Sequence, residues 1–157
     1  MRVKNVYLQK LLLTRTCSQP RNNYLIHVKP ENQYIQGVHK HIDRNLVYYE
    51  KTHNPYNSGT PDVYYEGDKD ILWVEYKRLS RIPKTFIVKV TELQRKWLNR
   101  ASNNNVNVAV ITAMPDGAVV HTHEHWEHAG TLVIPKYVSL KSKKKVAEWI
   151  VSQCSHS

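Results

Sequence analysis

The stretch SGTPDVYYEGDKDILWVEYKRL, residues 58–79, decides how this chain is read. Two runs of β-forming residues, PDVYYEG and ILWVEYKRL, flank GDKD, a turn-forming tetrad that predicts a hairpin. Side chains alternate along a strand, so Ile71, Trp73, Glu75 and Lys77 share one face, and Leu72, Val74 and Tyr76 share the other. Glu75 and Lys77 then stand roughly 6.7 Å apart at their α-carbons on a face that starts apolar. One explanation is a strand end reaching solvent with an ion pair worth about 0–1 kcal/mol. The other starts from Asp62, which opens the partner strand and comes near Glu75 if the two strands pair across GDKD. Carboxylates held that close repel one another unless a cation lies between them. Hard divalent ions such as magnesium favour that oxygen environment.

Working outward, PENQYIQGVHKHIDR opens on Pro30, suited to a first helical turn, and carries Tyr34, Ile35, Val38 and Ile42 at helical spacing. Glu31 falls on the same inward side. It is either a first-turn carboxylate favoured by the helix dipole or a group directed at the site. LVYYEK reads as a strand and THNPYNSGTP as a loop. TELQRKWLNRA reads as a helix capped by Thr91, with Leu93, Trp97, Leu98 and Ala101 along one side. Gln94 completes a T-x-x-Q capping box and is equally placed to serve a site. VNVAVITA is a buried strand, AVVHTH a short strand, HEHWEHA a possible short helix, and LKSKKKVAEWIVSQ an amphipathic helix with Val146, Trp149 and Ile150 inward. Residues 1–28 suggest a short helix over 4–13, a polar turn and a strand at YLIHV. The order implies an α/β fold, a mixed central β-sheet flanked by helices.

The chain has 157 residues, the size of one domain, and Lys plus Arg number 23 against 13 acids for a formal charge of +10. A pI near 9.6 favours polyanionic partners, nucleic acid first among them. The two cysteines form no disulfide or zinc pattern, which points to a reducing, cytoplasmic setting. No apolar run is long enough to span a membrane, and the N-terminus lacks a signal-peptide pattern. His121, His123, His125 and His128 invite a zinc reading. Alternation instead places the first three on one solvated face of a surface strand running into a short helix, and no HExxH accompanies them. His39, His41 and His53 show no evident partners in sequence. The four tryptophans read as core anchors, and KSKKK at 141–145 as a solvated helix face.

PD at 61–62, twelve residues, then EYK at 75–77 resembles the signature of the PD-(D/E)XK nuclease superfamily. GTPD before the first strand, EYKR at the end of the second, and the helix ELQRKWL with Gln94 are similar to its virus-type replication-repair (VRR-NUC) branch and related phage endonucleases. The resemblance covers about residues 30–113, with additions at 1–29 and 114–157 to a single nuclease domain spanning 1–157. It implies a restriction-endonuclease-like core and a magnesium-dependent DNA endonuclease, with manganese as a substitute. In that reading Asp62, Glu75 and the backbone carbonyl of Tyr76 hold the metal, and Glu31 holds a second metal or a metal-bound water. Lys77 positions the attacking water, and Gln94 bonds near the lysine or the DNA strand. The segment after Lys77 is longer than a minimal loop, and its basic residues Arg78, Arg81, Lys84 and Lys89 suit DNA contact. The implied substrate is double-stranded or branched DNA. The enzyme would be a homing-type or junction-resolving one, acting as a homodimer or higher oligomer because two strands must be cut. A catalytically silent nucleic-acid-binding protein on the same fold is the alternative.

Overall fold

The computed structural model describes residues 29–53, 59–81, 88–123, 126 and 138–156. In chain order the elements are α1 (Pro30–His39), β1 (Val47–Lys51), β2 (Val63–Gly67), β3 (Ile71–Arg78), α2 (Glu92–Asn103), β4 (Asn107–Met114), β5 (Gly117–His121), β6 (Val138–Leu140) and α3 (Lys143–Cys154). The six strands form one sheet in the order β1-β2-β3-β4-β5-β6. Among the described strands only β3 and β4 are parallel, and every other neighbouring pair is antiparallel. The single parallel pair follows from α2, since parallel strands need a crossover whereas antiparallel ones close through a short turn. This is the α/β mixed sheet flanked by helices that the sequence implied. The short edge strand β6 was not anticipated.

Helices α1 and α3 cover one face. Tyr34, Ile35 and Val38 of α1 and Val146, Ala147 and Ile150 of α3 close over Val63, Tyr65, Leu72, Val74 and Tyr76 in one buried cluster. Each large aliphatic side chain sealed there contributes about 1.5–3 kcal/mol. Helix α2 covers the other face, where Leu98 and Ala101 pack with Val88, Val108, Val110 and Trp126. Trp126 is fully buried and its indole Nε1–H donates to Asn99 Oδ1 at 2.9 Å. Trp73 and Trp97 meet on this face with ring centroids 5.3 Å apart.

Three expectations are corrected. Leu93 is 54 % exposed and does not join the inward side of α2. The first turn of that helix instead sets its backbone against the loop before β2, where a β-carbon on Gly59 would lie 2.6 Å from the Leu93 carbonyl oxygen. His121 is fully buried, not on a solvated face. It stands opposite Val110 on a strand flanked by β4 and β6, and Val110 belongs to the Trp126 cluster. His39 does have partners: its Nε2 lies 3.0 Å from the Tyr65 hydroxyl, and its ring stacks on Tyr49 with centroids 3.9 Å apart. The readings made for residues 1–28, for Lys84, for His125 and His128, and for the middle of HEHWEHA lie outside the described residues.

Candidate active site at the end of strands β2 and β3

The hairpin register pairs Val63 with Val74. One step beyond the ladder, Asp62 stands opposite Glu75. Two interactions fix Asp62 there. Its backbone carbonyl accepts from Thr52 N–H at 2.9 Å, extending the β1 pairing, and its Oδ2 accepts from Tyr76 N–H at 2.9 Å. The Tyr76 ring points the opposite way, into the α1/α3 core, where its hydroxyl lies 2.8 Å from that of Tyr65. One residue therefore anchors the strand on one side and orients a carboxylate through its main chain. Gly59 lets the preceding loop press against the first turn of α2, so the Gly-Thr-Pro-Asp run, β3 and α2 converge at one place.

On the α2 face, Glu75 is 2 % exposed. Its Oε1 accepts from Lys77 Nζ at 2.6 Å and from Gln94 Nε2 at 2.5 Å. Gln94 Oε1 accepts from Lys77 Nζ at 3.2 Å and from Thr91 N–H at 2.9 Å, while Thr91 Oγ1 accepts from Gln94 N–H at 3.2 Å. The capping box and the contact with Glu75 and Lys77 thus coexist in one side chain. The cap fixes the angle at which α2 delivers Gln94 to the strand end.

Burial pushes the Glu75 carboxyl up to about 7; Asp62 and Glu31 add to the rise, and Lys77 offsets only part of it. Glu31, on the first turn of α1, is also raised, first by burial and then by Asp62, with Lys77, Lys29 and Lys51 opposing. Glu31 therefore feels the charges of Asp62 and Lys77, although no hydrogen bond joins it to them among the described residues. Nor do three His, Cys, Asp or Glu side chains already converge as a closed cage among the described residues. The donor set fits a hard divalent ion: Asp62 stands beside the buried Glu75, Glu31 feels the same charges, and waters would complete the shell.

The basic residues divide. Arg78 lies one step past Lys77 and so on the α1/α3 face, with Nη1 donating to the Pro30 carbonyl at 2.9 Å. Arg81 and Lys89 are exposed on either side of residues 82–87, and among the described residues neither is hydrogen-bonded to Glu75 or Lys77. Thr112 escaped the sequence reading. It is the register partner of Lys77 on β4, 2 % exposed, and its hydroxyl has no partner among the described residues. A threonine inside the apolar run VNVAVITA was the available signal.

No protein-family model matches the chain, and no curated protein matches it. Among solved structures it is similar to Hjc, a Holliday junction resolvase from the archaeal hyperthermophile Archaeoglobus fulgidus, with 12 % sequence identity and a TM-score of 0.48. The match covers 76 % of this chain and 97 % of that one, and a likeness of this degree assigns no activity.

Proposed function

We propose that this chain is a metal-dependent endonuclease hydrolysing phosphodiester bonds in DNA, of the PD-(D/E)XK type that its motif resembles. One observation carries the reading: Lys77 and Gln94 converge on the buried Glu75 carboxylate at a strand end where the register sets Asp62 opposite. A buried carboxylate is costly to keep for packing alone. The net charge of +10 suits the substrate.

Asp62, Glu75 and the Tyr76 carbonyl would hold magnesium, and Glu31 would hold a second ion or a bound water. The metal supplies charge stabilisation and a more acidic water. Tyr76 N–H fixes one Asp62 oxygen and leaves the other for the ion. Gln94 and Lys77 fix Glu75 in the same way through Oε1. The Lys77 ammonium orients the attacking water and offsets negative charge growing on the phosphoryl oxygens. The water oxygen forms the new bond to phosphorus. The bond to the 3′ oxygen breaks, that oxygen departs with a proton, and the 5′ phosphate remains. Arg78, Arg81, Lys84 and Lys89 would contact the DNA backbone, and a homodimer would cut both strands.

The test offers supercoiled plasmid, linear duplex and a four-way junction with Mg2+ or with EDTA. Magnesium-dependent cutting by the wild type, reduced about a hundredfold to a thousandfold in Lys77→Ala, supports the reading. Preference for the junction would mark a structure-specific enzyme, and preference for one duplex sequence a site-specific one. Salt-sensitive binding without cutting, even of a random duplex library, would leave a silent DNA-binding protein.

A further inference from the structure

We propose that a pocket at the N-terminus of α3 binds a phosphate of the nucleic-acid backbone, on the sheet face opposite Lys77. The class of ligand follows from the pocket itself; its assignment to DNA rests on the function proposed above. The pocket, about 210 Å³, is lined by Tyr34, Arg78, Lys141, Ser142 and Lys143 together with Ala113, Met114, Pro115 and Gly117 at the β4–β5 turn. A helix start offers unpaired N–H groups and partial positive charge. Ser142 caps one of these, accepting from Lys145 N–H at 3.1 Å.

Three further observations point to an anion. The first turn of α3 holds Lys143, Lys144 and Lys145 and no acid. This is the reverse of what the helix dipole favours, and a bound anion would offset it. Tyr34 lines the pocket at 7 % exposure, and its hydroxyl has no partner among the described residues. A buried hydroxyl left unpaired is costly, and a phosphate oxygen would accept from it. Lys143 is also held in place. Its Nζ lies 5.6 Å from the Tyr34 ring centroid, and its chain crosses α1 at Gly37, where a β-carbon would come within 2.7 Å of it.

The position links the pocket to the catalytic group. Arg78 and Pro115 also line a cleft of about 610 Å³ whose wall includes Glu31. A strand entering that cleft passes from Glu31 across Arg78 to the start of α3. The geometry suits a backbone phosphate near, but distinct from, the one to be cut.

Two arms test this, both in EDTA so that cleavage plays no part. In the first, inorganic phosphate is titrated into the isotopically labelled protein. Amide shifts are expected at Ser142–Lys145, weakened in Tyr34→Phe, whose melting temperature should hold or rise. In the second, duplex affinity is measured by fluorescence anisotropy across a salt series. Lys143→Gln is expected to weaken binding about fivefold and to lower the salt slope by about one. Lys40→Gln, on the exposed end of α1 with the same change in net charge, should weaken it less than about twofold. Absence of phosphate shifts overturns the proposal. Equal effects of the two lysine variants overturn it as well. Phosphate shifts without any loss of DNA affinity in Lys143→Gln would reduce the pocket to a free-phosphate site and overturn its assignment to DNA. Failure of the cleavage assay alone would remove the hydrolytic reading and leave this one standing.

Discussion

Strand β3 has two faces that share a backbone and almost nothing else. Toward α1 and α3 it presents Leu72, Val74 and Tyr76, all at most 1 % exposed and packed in one apolar cluster. Toward α2 it presents Trp73, then Glu75, then Lys77, a progression from packed aromatic ring to buried carboxylate to half-buried ammonium. The first face holds the sheet together. The second bears the cost of a buried charge, moderated by Lys77 and Gln94 and not removed by them. Cores gain stability from sealed apolar surface, and sites retain what a core would discard.

The largest expected separation between the faces is in catalysis. Lys77→Ala should lower magnesium-dependent cleavage about a hundredfold to a thousandfold, whereas Leu72→Ala should leave the rate of the folded fraction nearly intact. Stability should reverse that order: Leu72→Ala is expected to cost about 2–5 kcal/mol in denaturant unfolding, through lost burial and a residual cavity.

Next comes Glu75→Gln, which keeps the shape and deletes the charge. The folded-state carboxyl is raised, so the stability linked to its protonation is full below about 4.5 and is lost as pH rises through about 7. In EDTA the wild type should therefore lose on the order of 1–3 kcal/mol between pH 5 and pH 8 relative to Glu75→Gln. Magnesium should restore part of it at pH 8 in the wild type alone. An identical pH dependence in the two proteins would show that Glu75 is not a buried charge.

On the apolar side, His39 titrates in the opposite sense. Burial, with Arg44 and Lys51 beside it, lowers it to about 4, so its contribution is present above 6.5 and lost as pH falls through 4. His39→Gln should flatten the melting-temperature profile in that window, and an unchanged profile would argue against the buried neutral ring. The smallest effect belongs to Leu93. Leu93→Ser should alter stability by less than about 0.5 kcal/mol, against about 2–5 for Leu98→Ala one turn further along α2.

Much of this was legible in sequence because it depends on local rules. Alternation along ILWVEYK separated the two faces of β3, and the GDKD turn set the register that brings Asp62 opposite Glu75. T-x-x-Q announced the cap on α2, which does form. What could not be read depends on contacts between distant elements. Leu93 has inward spacing, yet Gly59 draws the backbone of that turn inward instead. His121 looks polar and exposed in sequence, but its strand lies inside the sheet. Three residues make β6, too few for a pattern. The pairing of His39 with Tyr65 spans 26 residues, and nothing local announces it.

The most direct test of a functional α2 face is Asp62→Asn, with melting temperature and magnesium-dependent cleavage measured on the same sample. The amide keeps an oxygen for Tyr76 N–H and removes the charge that helps raise Glu75. The expected result is a melting temperature unchanged or higher, with cleavage down at least about a hundredfold. Cleavage at the wild-type rate, or a loss of activity that merely follows a loss of folding, would contradict it.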